Sequence, residues 1–355
     1  MNVRPVIERV RIWYMGIRLG TLDRVTLAAL VLAVVAGLVV LVWLVGGSNR
    51  IDIVNNRAVN DSTARSPFTG LPCAFPDRRP LAVMLASDPE ARPLSGLTEA
   101  EVVFEIPVTP NAMTRLMAVY LCDYPEEIGS IRSARTEFLG YVGWLDAIYA
   151  HWGGERDALA SLDGGILDNI NALIYDGTVF TRKSGVPPPH NGFTTPEKLL
   201  EKALDLGYAD SASVSFLPHR TEKASRSLAS SVDGFSVSYP TGTVVTWTFN
   251  PSTDRWVRSR DGEPELDAVT SRTVDAGTVI VLETDASPVR NEYLNVRTTG
   301  DGPATVYMDG LRRTVTWRRT GDTGPLVIED DTGNQVPIAP GPVWIMVAVP
   351  GMVIE

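Results

Sequence analysis

The sequence predicts an α/β mixed-sheet domain followed by a β-rich domain, with one N-terminal transmembrane helix ahead of both. Three observations predict it. Residues 25–45, VTLAALVLAVVAGLVVLVWLV, run for 21 residues without a charge. Between 81 and 207, apolar runs alternate with helix-start signals. Beyond 233 the chain changes to short alternating segments separated by turns, and 30 Gly and 25 Pro supply those turns.

As a helix, the charge-free run is about 31 Å long, enough for a hydrocarbon layer of about 30 Å. Gly46, Gly47 and Ser48 follow it. A lipid-acceptor Cys would be needed there for lipoprotein processing, and no small-residue cleavage motif stands out. Arg4, Arg9, Arg11, Arg18 and Arg24 outnumber Glu8 and Asp23 before the run, which places the N-terminus in the cytoplasm. Residues 1–24 are therefore expected to be a cytoplasmic basic leader, 25–45 the span, and 46–355 extracytoplasmic. The expected localisation is the cell membrane, single-pass, with the lipid bilayer as partner.

Residues 46–70 are polar and read as a tether. Strands are expected at 81–86, 102–106 and 113–121. Helices follow: one capped by Ser133 and running to about Trp144, one over 156–162, and one opened by Thr195, Pro196 and Glu197 and closed at Gly207. These make 71–217 the α/β domain. A polar stretch at 218–233 reads as a linker, and 234–355 is β-rich. Its strands are expected at 243–250, 255–259, 279–282, 293–296, 305–308, 314–318 and 343–349.

The formal net charge is -10, and since the leader is basic, the acid excess lies in the exported part. Duplex binding relies on Lys and Arg neutralising phosphates, so no nucleic-acid partner is expected. Both cysteines, Cys73 and Cys122, fall in the exported part, where a disulfide can persist. The alternative is two buried thiols.

Three segments carry candidate chemistry. In IGSIRSARTEF, Arg132 and Arg135 lie three apart at an expected helix start and would share a face. Two guanidiniums at the positive end of a helix call for an anion, and phosphate matches their forked donors. Alternatively they pair with Glu137 or another carboxylate. In DAIYAHWGGE, Gly153 and Gly154 could form an anion nest with His151 at its mouth, or His151 is a hydrogen-bonded structural residue. In PPHNGFTT, His190 and Asn191 sit in a stiffened loop, which is either a preorganised site or a plain turn. Arg115 and Arg92 could line the same pocket. Signatures for phosphate-binding loops, serine-hydrolase elbows and zinc helices do not occur. No cofactor is expected, although Mg²⁺ on Asp88, Glu105 or Asp146 with a substrate phosphate stays open.

Taken together, RPLAVMLASDPEARPLSGL, AEVVFEIPV, MTRLMAVYL, IGSIRSAR, DAIYAHWGG and PHNGFTT resemble the family of YerB-type bacterial lipoproteins. The second half adds VVTWTFNPSTDRWVRSRDG, GDGPATVYMDG and PGPVWIMV, which resemble the family's repeated β elements. The resemblance implies an envelope protein of two modules without an assigned reaction. SIRSAR followed by LDAIYAHWGG is also similar to the LytR-CpsA-Psr phosphotransferases, which transfer glycopolymers from polyprenyl pyrophosphate carriers. The acid that follows that family's arginine is replaced here by Ser133. Three functions are thus in view: a binder of an anionic envelope component through Arg115, Arg132, Arg135, His151 and His190, a phosphotransferase, or a protein-interaction scaffold.

Overall fold

The apolar runs of the first half become strands β1 (Leu81–Leu85), β2 (Val102–Pro107) and β3 (Thr114–Tyr120), each buried from end to end. Burial on both faces is why they read as unbroken apolar stretches rather than alternating ones. The computed structural model describes residues 64–221, 230–289 and 292–355, together with Ala33, Val34 and Gly37. The leader at 1–24, the remainder of the expected span at 25–45, the tether up to 63 and positions 222–229 of the linker lie outside the described residues. Among the described residues no helix is long and apolar enough to cross a membrane.

After β3 come β4 (Ile128–Gly129), α1 (Thr136–Trp144), β5 (Ile148–His151), α2 (Arg156–Asp163), β6 (Asn169–Asn171), α3 (Ala172–Tyr175), β7 (Thr181–Arg182), β8 (Gly192–Thr194) and α4 (Pro196–Asp205). Helix α4 opens as expected, with the Thr195 side chain accepting from the Lys198 amide and Pro196 in the first turn. Helix α1 does not open at Ser133. Its N-cap is Arg135, in extended conformation, and the segment before it pairs with strands instead. The Arg132 amide donates to Met84 O, the Trp152 amide to Arg132 O, and the Ala134 amide to Gly153 O. With those backbone groups used across the sheet, an earlier helical turn would lose partners that are already satisfied.

The second half supplies β9 (Ser230–Ser231), β10 (Gly234–Ser238), β11 (Val244–Asn250), β12 (Arg255–Arg260), β13 (Glu263–Pro264), β14 (Asp275–Ala276), β15 (Thr278–Glu283), β16 (Ala286–Val289), β17 (Tyr293–Val296), β18 (Gly300–Met308), β19 (Leu311–Arg319), β20 (Leu326–Glu329), β21 (Val343–Ala348) and β22 (Val353–Ile354). The helices belong to the first half and strands dominate the second.

One mixed sheet nevertheless runs through both halves, in the order β20-β19-β18-β15-β21-β2-β3-β1-β5-β6, with β9 on β19. The join is β21, parallel to β2 on one side and to β15 on the other. A second sheet, β13-β12-β11-β10-β22 with β14 on β12, buries Trp247 and Trp256.

Two expected boundaries move. Residues 64–70, placed in the tether, belong to the fold: Phe68 is fully buried and meets Phe216 edge-on at 5.3 Å, while the Ser66 hydroxyl bonds to Glu101. A single large apolar side chain in a polar stretch was enough to extend the core. The ends of the expected linker at 218–233 are also engaged, since His219 bridges Ile338 and Ser231 pairs with Leu311. Cys73 and Cys122 are joined in a disulfide, with their Cα atoms 5.5 Å apart.

Candidate functional site

Strands β1, β5 and β6 run parallel, so their carboxyl ends open on the same edge of the sheet. Beyond β1 the chain continues as Ala86, Ser87 and Asp88; beyond β5 it continues as Trp152, Gly153 and Gly154. Antiparallel β3 begins at this edge with Thr114 and Arg115. The carboxyl edge of parallel strands is where open α/β sheets leave room for ligands, because neighbouring connections diverge there. The extended segment 130–135 crosses this edge and delivers Arg132 and Arg135.

Three of the expected arginines come together at this edge. Arg115 Nη1 lies 3.1 Å from Asp88 Oδ2, and Arg132 Nε reaches the same oxygen at 3.8 Å. Arg135 Nη1 stands 3.6 Å from Glu155 Oε2, with its guanidinium 4.8 Å from the centre of the Tyr293 ring. Burial pushes the Arg115 guanidinium down to about 10; Asp88 opposes this, and Arg132 and Arg135 reinforce it. The three cations therefore feel one another. The Nε atoms of Arg115, Arg132 and Arg135 are buried and donate to no hydrogen-bond partner among the described residues. Because Arg132 precedes the helix and Arg135 caps it, they do not share a helix face; the crossing segment and β3 bring the charges together instead.

His151 is placed differently from the nest-mouth position. It is the last residue of β5, closed to solvent, with Nδ1 donating to Gly153 O at 2.7 Å and Nε2 3.2 Å from the Asn169 side chain. Burial lowers its pKa, while the contacts to Gly153 and Asn169 oppose that shift. Gly153 has a φ of 61°, and its amide is taken by Asn171 Oδ1 at 3.1 Å. Gly154 packs tightly on Ala134, where a Cβ would lie 3.0 Å from the alanine methyl. The pair thus anchors the crossing segment instead of cradling an anion.

His190 and Asn191 lie at the rim. Arg132 Nη1 approaches Pro189 O at 3.4 Å, His190 Nδ1 is buried without a partner among the described residues, and Asn191 Oδ1 accepts from Arg182 at 3.3 Å. Arg182 in turn lies over the Trp152 ring at 4.2 Å.

Two family profiles, the N-terminal and C-terminal domains of "Protein of unknown function (DUF3048)", match residues 68–209 and 235–345. The chain belongs to this family. The YerB protein of Bacillus subtilis (strain 168), whose name carries a provisional lipoprotein designation, is 28% identical over 287 residues, covering 79% of this chain and 85% of its own. The crystal structure of YerB from Bacillus subtilis is similar with a TM-score of 0.74 at 25% identity, over 82% of this chain and 99% of that one.

In this DUF3048 protein the carboxylates considered for Mg²⁺ are dispersed among separate ion pairs. Asp88 serves Arg115 and Arg132, and Asp146 pairs with Arg79 at 2.9 Å. Glu105 accepts from Arg258 at 2.9 Å and from the Trp344 indole at 3.0 Å. Arg92, expected near the same pocket, pairs instead with Glu265, inside a second buried cluster that holds Arg258, Arg260 and Glu105. The two clusters touch through Thr114, whose hydroxyl bonds to Ser87 at 2.7 Å.

Four further residues belong to the arginine cluster; the sequence offered Asp88 as a possible Mg²⁺ ligand and Glu137 as a possible ion-pair partner, and it did not single out Glu155 or Tyr293. Asp88 and Glu155 supply its carboxylates, Tyr293 comes from β17 of the second half, and Glu137 sits buried in the first turn of α1.

Proposed function

We propose that this DUF3048 protein is a membrane-anchored extracytoplasmic envelope protein whose Arg115, Arg132 and Arg135 cluster binds an anionic, phosphate-containing envelope component. The observation that carries this reading is the charge balance at the sheet edge. Three guanidiniums stand with two carboxylates in ion-pair reach, Asp88 and Glu155, in nearly closed surroundings, and burial pushes the third carboxyl group of the cluster, Glu137, up to about 8. A buried cation without full compensation is costly, and a phosphate oxygen offers acceptors that match the idle Nε donors. Arg132 and Arg135 keep 17% and 12% of their side-chain surface open, so an anion can reach them. Anchoring is supported by the charge-free run at 25–45. Extracytoplasmic placement is supported by the Cys73–Cys122 disulfide and by the lipoprotein designation of the YerB relative.

The test is titration of the detergent-solubilised full chain with inorganic phosphate and with sulfate. Arg132→Gln and Arg135→Gln should each weaken binding about tenfold or more, the range for a lost charge-assisted hydrogen bond. Equal binding by the wild type and both variants, or none by the wild type, rejects the reading.

A second reading, phosphoryl transfer at the same arginines, is favoured by the two carboxyl groups of Glu137 and Glu155 beside Arg135. Orthophosphate release from pyrophosphate in the presence of Mg²⁺ separates it from simple binding.

A further inference from the structure

The segment that follows β1 has arginines at both of its polar residues. Asp88 is held by Arg115 and Arg132, in the site described above. Its neighbour Ser87 is approached from elsewhere: Arg92 Nη2 and Arg260 Nη2 each stand 3.4 Å from the hydroxyl oxygen. Arg260 arrives on β12 of the second half, while Arg92 follows the helical turn Pro89–Ala91.

This second group repeats the charge imbalance of the first, since Arg92, Arg258 and Arg260 share two carboxylates. Glu265 pairs with Arg92, accepts from Arg258 Nε at 2.8 Å and faces Arg260 Nε at 3.8 Å. Glu105 accepts from Arg258 Nη2 at 2.9 Å and faces Arg260 Nη2 at 3.5 Å, and it is also engaged by the Trp344 indole and the Tyr239 hydroxyl. Donors are left over. Arg92 Nε, Arg260 Nε and Arg258 Nη1 are buried without a hydrogen-bond partner among the described residues. Arg258 is fully closed to solvent, where an idle guanidinium nitrogen is costly. Arg92 and Arg260 differ from it, because 15% and 11% of their side-chain surface is open, close to the openness of Arg132 and Arg135. Their contacts to Ser87 are long for hydrogen bonds, so an anionic oxygen, a stronger acceptor, can draw both guanidiniums away from it.

We propose that Arg92 and Arg260, with the Ser87 hydroxyl beside them, form a second anion subsite, so that the protein takes a ligand carrying at least two linked phosphate groups. The proposal rests on the anion-binding reading above and specifies the ligand class for it. Thr114 joins the two subsites: its hydroxyl bonds to Ser87 at 2.7 Å, and its carbonyl accepts from Arg115 Nη1 at 3.0 Å. A single phosphate held at Arg132 leaves the surplus charge at Arg92 and Arg260 unanswered. Phosphates in series answer both.

Sulfate titration of the detergent-solubilised full chain, followed by calorimetry, counts the subsites. Wild type should bind two sulfates; Arg132→Gln should abolish one and Arg260→Gln the other. Tripolyphosphate should bind wild type about a hundredfold tighter than orthophosphate, because its second phosphate binds within a complex already formed. Arg260→Gln should remove most of that preference. Arg92→Gln tests the same subsite should Arg260→Gln not fold, and the wild-type stoichiometry needs no variant. A single sulfate, lost in Arg132→Gln and kept in Arg260→Gln, overturns the proposal and leaves the anion-binding reading standing. A single sulfate lost only in Arg260→Gln overturns the reading at Arg132 and with it the linked ligand. Equal affinity for tripolyphosphate and orthophosphate overturns the linked ligand, and no bound sulfate overturns both readings.

Discussion

Arg258 of β12 donates through Nη2 to Glu105 Oε2 of β2 at 2.9 Å, and both side chains are sealed from water. This contact ties the second half of the chain to the first. Arg258 Nε also binds Glu265 at 2.8 Å, and its guanidinium lies 4.3 Å from the centre of the Trp344 ring, while Nη1 is buried without a hydrogen-bond partner among the described residues. Burial alone would raise the Glu105 carboxyl, but Arg258 and Arg260 hold it below its ordinary value.

Truncating one partner of such a pair strands the other. Arg258→Met should therefore cost about 3–5 kcal/mol of stability, as measured by chemical denaturation. It should leave the first-half strands without their anchor to β12. A loss below about 1 kcal/mol would show that the cluster is solvated.

The disulfide gives a second, independent check on the fold. Cys73 and Cys122 are separated by 49 positions, so the bridge restricts a long loop in the unfolded chain. Replacing both by Ala should lower stability by about 4 kcal/mol on the chain-entropy account. Thiol titration under denaturing conditions, with and without reductant, reports whether the bridge is present.

How much of this was legible in the sequence depends on how local the cause is. The strands β1, β2, β3, β11, β12 and β21 announce themselves because burial on one or both faces leaves an apolar imprint on consecutive residues. The cap at Thr195 is legible for the same reason, since the capping partner is three residues away. The extended course through Arg132 is not local. It follows from hydrogen bonds to Met84 and Trp152, distant in sequence, which override a reasonable helix signal at Ser133. The insertion of β21 between β2 and β15 is likewise invisible to periodicity, because pairing across 241 positions to β2 and 65 to β15 leaves no mark on any one strand alone. At the site, residue types could nominate Arg115, Arg132 and Arg135. Only the sheet edge shows that Asp88 and Tyr293 join them and that His151 faces inward.

Phe68 tests where the folded chain begins. Its ring is fully buried and packs on Phe216, which itself stacks on Trp144 at 5.2 Å. Phe68→Ala should destabilise by about 3–5 kcal/mol, the range for removing a core aromatic. A truncation starting at residue 71 should behave at least as badly. Normal stability of that truncation would return 64–70 to the tether.

Tyr293 tests whether the second half takes part in the arginine site. Its ring stands over Arg135 at 4.8 Å, a geometry worth about 0.5–2 kcal/mol depending on desolvation. Tyr293→Leu keeps apolar bulk but removes the ring face. Phosphate affinity should drop roughly two- to thirtyfold, with thermal stability changed far less than in Arg258→Met. Unaltered affinity would confine the site to the first half.

Glu137 also gives stability a pH dependence that needs no ligand. Its carboxyl moves from about 4.5 to about 8 on folding, chiefly through burial, so between those values the folded chain holds a proton that the unfolded chain has released. Stability from this group is intact below about 4.5 and falls as pH rises towards 8, by about 1.4 kcal/mol per unit at most. Groups such as Glu105, held below their ordinary value, act in the opposite sense: their contribution is present above that value and fades as pH drops through the folded one. The two windows do not overlap above pH 5, but other buried groups add their own pH dependence: burial raises Glu101 and Asp275 and lowers His151 and His219. The difference between wild type and Glu137→Gln, read from denaturation midpoints between pH 5 and 8, therefore isolates Glu137. Wild type should lose stability relative to Glu137→Gln as pH rises across that interval. A difference that does not change with pH would mean that Glu137 is already ionised in the folded protein.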